Sequence, residues 1–138
     1  MSSSQIMAEI KKKEAELEKL QKTSEQVSDV YEAVDCMSKK FMRAGELMGE
    51  AGNIGGKPFD NGAALSMGQN LSTISNNTLA LSNQVLANIS DLKDEIEKLY
   101  AAYRAALAAE AAAAEIEKAS KAIVNVTAAT TARFVNKR

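Results

Sequence analysis

The chain predicts an all-α fold, an antiparallel two-helix hairpin with an extended C-terminal helix, and three observations carry that prediction. Two long stretches repeat apolar residues at spacings of three and four, the period of one face of an α-helix. Between them lies the one segment dense in helix breakers, with Gly52, Gly55, Gly56, Pro58 and Gly62. Pro58 disfavours helix at Lys57 and glycine adopts backbone angles closed to other residues, so the chain is expected to turn back here. Composition agrees: with aromatics at 4% and no tryptophan, close packing of small residues must replace the burial of large rings. A length of 138 residues fits one domain. It divides into a first helix over about residues 4–51, a turn over 52–61 and a second helix over about 62–130, with 112–138 as an overhanging or frayed tail.

The first helix carries a stripe through Ile6, Ile10, Leu17, Leu20, Val27, Tyr31, Val34, Phe41 and Met48. Val30, Met37 and Ala44 lie beside it and widen it beyond the narrow seam of a two-stranded coiled coil, so this half is expected to meet more than one neighbour. Glu18 and Lys22, one turn apart, mark a solvated face. Gly49 or Gly52 is expected to end the helix, with Gly52 as the left-handed cap.

Asp60 or Asn61 is expected to start the second helix by accepting a hydrogen bond from a free first-turn amide, with Phe59 as a hydrophobic staple. The second stripe runs through Leu65, Leu71, Ile74, Thr78, Leu81, Val85, Ile89, Leu92, Ile96, Leu99, Tyr103 and Leu107. Two successive steps of four, from Leu81 to Val85 to Ile89, break the strict heptad and relax supercoiling locally. Residues 108–114 are alanine apart from Glu110, the highest helix propensity in the chain, so this helix should run past the start of the first. Ile116, Ala119, Ile123, Val126, Thr130 and Phe134 extend an apolar face onto that overhang, where Thr127, Thr130 and Thr131 weaken helicity.

Seventeen basic and eighteen acidic residues leave a formal charge of -1, and the one dense basic run, Lys11-Lys12-Lys13, is followed by Glu14, Glu16 and Glu18. A nucleic-acid binder concentrates positive charge on one face, so this balance argues against that class. A chain without histidine and with the single cysteine Cys36 forms no intrachain disulfide and supplies no zinc ligand set. The glycine-rich turn contains Lys57 but not the order of a phosphate-binding loop. With neither a nucleophile and base nor a carboxylate pair in a cleft, the chain reads as a non-enzyme without cofactor or metal. Residues 1–9 hold no apolar stretch of signal-peptide length, and nowhere do eighteen apolar residues run together. A cytoplasmic protein is expected, with any export proceeding without a cleavable signal peptide and without stable membrane insertion.

Residues 61–90 contain no charged side chain, and their outer positions are largely serine, asparagine and threonine. These are poor helix formers that need packing to stay helical. Met37, Phe41, Met42, Leu47 and Met48 lie across the hairpin from them, and methionine adapts readily to partner helices. The region reads as a docking surface, with Met37, Phe41, Met48, Ile54, Phe59, Leu71 and Ile74 as candidate partner-binding residues.

A Lys/Glu-rich opening helix over 10–20, a turn reading Gly55-Gly56-Lys57-Pro58-Phe59-Asp60-Asn61-Gly62-Ala63-Ala64 and a closing helix with apolar residues across 89–99 together resemble the WXG100 class of type VII secretion proteins. Within that class the chain is most similar to the longer helical proteins encoded beside LXG toxins in Gram-positive bacteria, over most of residues 5–115. The resemblance implies a chaperone or targeting factor that binds the N-terminal helical domain of an LXG-type toxin, alone or with other small helical accessory proteins, for export through a type VII system. Two features depart from the pattern. Ile54-Gly55-Gly56 stands where the namesake Trp-x-Gly would be, and Phe134 is followed four residues later by Arg138 instead of the acid of the export signal. Tyr31 and Asp35 have that spacing, but inside the first helix. The alternatives are a structural coiled-coil subunit forming homo-oligomers and an amphipathic lipid-binding helical protein; the latter is disfavoured by the absence of lysine and arginine across 61–90.

Overall fold

The computed structural model describes residues 1–56 and 60–136, with side chains up to residue 133. Two helices, α1 (Ser3–Gly55) and α2 (Gly62–Asn136), pack together, and among the described residues there is no strand. The expected staple at Phe59 and the helix-breaking role of Pro58 fall outside the described residues, as does the side chain of Phe134.

The ends of the helices follow from local chemistry. Ser2 caps α1: its carbonyl accepts the first helical bond, from the Ile6 amide at 3.1 Å, and its Oγ accepts from the Gln5 amide at 3.3 Å. Gln5 reciprocates, its Oε1 accepting from the Ser2 amide at 2.9 Å, so the two residues close a capping box. At the other end α1 runs through Gly52 and stops at Gly55, with Gly56 at φ 71° as the left-handed residue. The sequence-based end near Gly49 or Gly52 is therefore corrected. Gly45 and Gly49 lie on the side of α1 that faces α2, against Leu65 and Asn61, and Gly52, three residues on, is buried within the helix instead of ending it. For α2, Asn61 supplies the first carbonyl, bonded by the Leu65 amide at 3.0 Å, and Asp60 Oδ1 accepts from the Gly62 amide at 3.0 Å. The Asn61 side chain turns away from its own helix and donates to the Gly45 carbonyl at 3.0 Å, tying the start of α2 to α1. α2 then continues unbroken through its threonines to Asn136.

The chain forms two compact parts, one made of Glu14–Asp94 and the other of Met1–Lys13 with Glu95–Arg138. In the part made of the chain ends, Ile6, Ile10 and Ile96 are buried, Ile10 completely. Lys13 pairs with Glu95 at 3.3 Å. Glu110 reaches the first turn of α1, where the Ser3 amide donates to Oε1 at 2.8 Å and the Ser3 hydroxyl to Oε2 at 2.7 Å. Both bonds favour the ionised carboxylate and hold the Glu110 carboxyl below its ordinary value of 4.5. Beyond Glu110, residues 111–133 are all exposed.

In the turn-bearing part, Val85, Ile89 and Leu92 are buried, and Leu17, Leu20 and Val27 are half-buried. Nearer the turn the seam changes character. On α1 it passes through Ser38, Met42, Gly45 and Gly49, and on α2 through Ala64, Leu65, Gly68, Leu71, Ser75 and Ser82. Ser38 is buried and its hydroxyl donates to the Gly68 carbonyl at 2.8 Å, which satisfies a polar group that burial would otherwise penalise. Met42 lies directly over Gly68, and Leu65 over Gly45. Phe41, Met48, Ile74 and Leu81, placed on the seam by periodicity, lie instead on exposed flanks, and so does Leu107 in the other part. A stripe drawn through large apolar residues skips glycine and serine, yet these let two backbones approach closely and so occupy the contact line.

Candidate functional site

Displacing the large residues from the seam creates two unlike flanks on the turn-bearing part. Steps of seven return to nearly the same side of a helix, drifting by only about 20°. Val30, Met37 and Ala44, with Phe41 and Met48, therefore share one flank of α1. Its opposite flank holds a line of ion pairs: Asp35 with Lys39 at 2.9 Å, and Arg43 with Glu46 at 3.1 Å and with Glu50 at 3.9 Å. The hydrogen bond that Lys39 donates to Asp35, and then the charge of that carboxylate, raise the pKa of Lys39 above 10.5. On α2, Met67, Ile74 and Leu81 form one edge at steps of seven, and Leu79 and Leu86 the other.

Two shallow grooves show which edges share a side. One is lined by Gln26, Val27, Val30, Thr78 and Leu81, so the apolar flank of α1 adjoins the Met67–Ile74–Leu81 edge. The other is lined by Gln21, Ser24, Glu25, Leu86, Ile89 and Lys93 and lies on the opposite side. The first face exposes seven large apolar side chains: Val30, Met37, Phe41, Met48, Met67, Ile74 and Leu81, each between 37% and 51% accessible. None of its α2 positions is charged, because residues 61–90 contain no charge at all. An exposed apolar face of this kind is a candidate interaction site, unlike single scattered apolar residues.

Of the candidate residues, the structure brings Met37, Phe41, Met48 and Ile74 together on this face. Ile54 stands near the end of α1, 89% exposed, and Leu71 is half-buried in the seam, where it meets α1 and is not free for a partner. Phe59 lies outside the described residues. Val30, Met67 and Leu81 complete the face; the signal for them in the sequence is the step of seven from Met37 and from Ile74. The arrangement can bury apolar area against another surface. Among the described residues no group of three or more His, Cys, Asp or Glu side chains could hold a metal ion, and Cys36 is exposed. Among the described residues no helix is long and apolar enough to cross a membrane. Comparison with family models, curated proteins and solved structures gives no match to the chain.

Proposed function

We propose that the chain is a non-enzymatic helical partner, a chaperone or targeting factor that binds the N-terminal helical domain of an LXG-type toxin for type VII secretion. The observation that carries this reading is the uncharged apolar face of Val30, Met37, Phe41 and Met48 with Met67, Ile74 and Leu81. The likeness to the WXG100 class supplies the kind of partner. An apolar helix of the toxin laid along this face loses water from both surfaces, at about 25 cal/mol for each Å² of apolar area covered. The methionines adapt to the partner's side chains. Covering the toxin's helix in this way keeps it soluble until it reaches the secretion apparatus.

Co-expression with the helical domain of the toxin encoded beside this chain, followed by pull-down, tests the reading. Wild type is expected to co-purify and to raise the toxin's solubility. A Met37→Asp/Ile74→Asp variant is expected to lose both effects, and Leu79→Asp on the opposite side to keep them. Absence of co-purification by wild type, with unchanged toxin solubility, overturns the proposal.

A further inference from the structure

The second unpartnered apolar surface is the helical segment beyond Glu110, and it differs in kind from the docking face. Ile116, Ile123 and Val126 are each about two-thirds exposed. Together with Ala109, Ala112, Ala119 and Thr130 they fall at steps of three, four, three, four, three and four, an unbroken a/d heptad pattern. That narrow stripe is the signature of a two-stranded coiled coil, in contrast to the broad face near the turn. α2 has no break between Gly62 and Asn136, so the stripe has no route back onto its own chain. The threonines at 127, 130 and 131 add a reason for a partner, since β-branched residues weaken a helix that lacks tertiary support.

We propose that this stripe is a self-association site, on which the same segment of a second copy of the chain packs antiparallel. The argument for a second copy is that the stripe fits itself. Laid antiparallel about Lys121, Ile116 of one copy faces Val126 of the other, and Ala119 faces Ile123, so the largest side chain meets the smallest at the centre. The positions flanking the stripe are Ala113, Glu115, Ser120, Ala122, Thr127 and Ala129. Only Glu115 among them is charged, and because an antiparallel pair sets each flank against the same flank of its neighbour, Glu115 lies beside Ala129 of the second copy, so two identical segments meet without like-charge repulsion. Lys118, Lys121 and Glu117 sit on the outer side, where Glu117 and Lys121 already pair at 3.2 Å. The site is separate from the toxin-docking face, and pairing through it holds or fails independently of toxin binding.

Light scattering and sedimentation equilibrium on the full chain test this. Wild type is expected at twice the monomer mass. Ile123→Asp places a charge at the centre of the seam and should raise the dimer dissociation constant at least about tenfold, which is 1.4 kcal/mol or more. Ile74→Asp, on the docking face, should leave it within about twofold. Because residues 111–133 are all exposed, Ile123→Asp does not threaten the fold, and circular dichroism verifies that the helical signal persists. A monomeric wild type overturns the proposal, as does a dimer that Ile74→Asp dissolves while Ile123→Asp does not.

Discussion

Replacing Gly68 with alanine measures how closely the two helices approach near the turn. In an open helix position the change would stabilise the protein, by up to about 1 kcal/mol, because alanine loses less backbone entropy than glycine. Here the added Cβ would stand 2.6 Å from Met42 Sδ, 2.7 Å from Met42 Cγ and 3.1 Å from the Met42 backbone nitrogen. The thioether can swing aside, but the nitrogen belongs to α1 and moves only if the helix does. Overfilling a packed contact costs about 1–3 kcal/mol, and a backbone obstacle puts this one in the upper part of that range, at about 2–3, so the net effect after a gain of up to about 1 in propensity is a loss of about 1–2 kcal/mol. For a chain of this size the midpoint of thermal unfolding, followed by far-ultraviolet circular dichroism, should fall by roughly 3–8 °C. Gly55→Ala is the control: nothing lies within 4 Å of its added Cβ, so its midpoint should hold or rise slightly. Met42→Ala separates the two obstacles in a double-mutant cycle: it should remove the part of the Gly68→Ala penalty due to the thioether and leave the part due to the backbone nitrogen. An unchanged or higher midpoint for Gly68→Ala would refute the close approach and the small-residue seam derived from it.

Three further measurements bear on the same chain. Ile10→Ala removes a completely buried side chain and should cost about 2–5 kcal/mol in urea unfolding, whereas Ile74→Ala, half exposed on the apolar face, should cost less than about 1 kcal/mol. Ser38→Ala deletes the buried donor to the Gly68 carbonyl and should lower stability by about 0.5–1.5 kcal/mol, while Ser72→Ala, on an exposed position, should be close to neutral. Glu110 has a carboxyl pKa lowered by the Ser3 amide and hydroxyl, so the clasp contributes stability above the unfolded carboxyl value and loses it as pH falls through the folded one. An amide-detected titration should show the Ser3 resonance moving with Glu110 below pH 4.5, and Glu110→Ala should abolish that movement and speed hydrogen exchange in the first turn of α1.

How far the sequence could be read varies along the chain. Where the seam is built from large aliphatic residues, as at Ile6, Ile10, Val85, Ile89, Leu92 and Ile96, the three-four spacing named the buried positions, because only those side chains carry enough area to register as a stripe. Closer to the turn the same reasoning drew the line through Phe41, Met48, Ile74 and Leu81, displaced to one side of the true contact. Two patterns meet there: small residues line the narrow seam, and large ones are left outside on the exposed face. Both patterns repeat every three to four residues on one helix, so periodicity alone does not distinguish them. The glycines were misread for a related reason. Gly52 reads as a helix stop by composition, yet it is helical and buried, leaving the left-handed position to Gly56.

The amino-acid order by itself determined that two helices form and where the chain reverses between them, because helical period and glycine are local properties that need no partner to act. It also determined the absence of charge over residues 61–90, and with it the kind of surface that segment can present. Which large side chains are buried was decided only by the packing of α1 on α2. The close contacts of Met42 with Gly68 and of Leu65 with Gly45 rotate Phe41, Met48 and Ile74 out of the seam, and a single helix considered alone contains nothing that fixes that rotation.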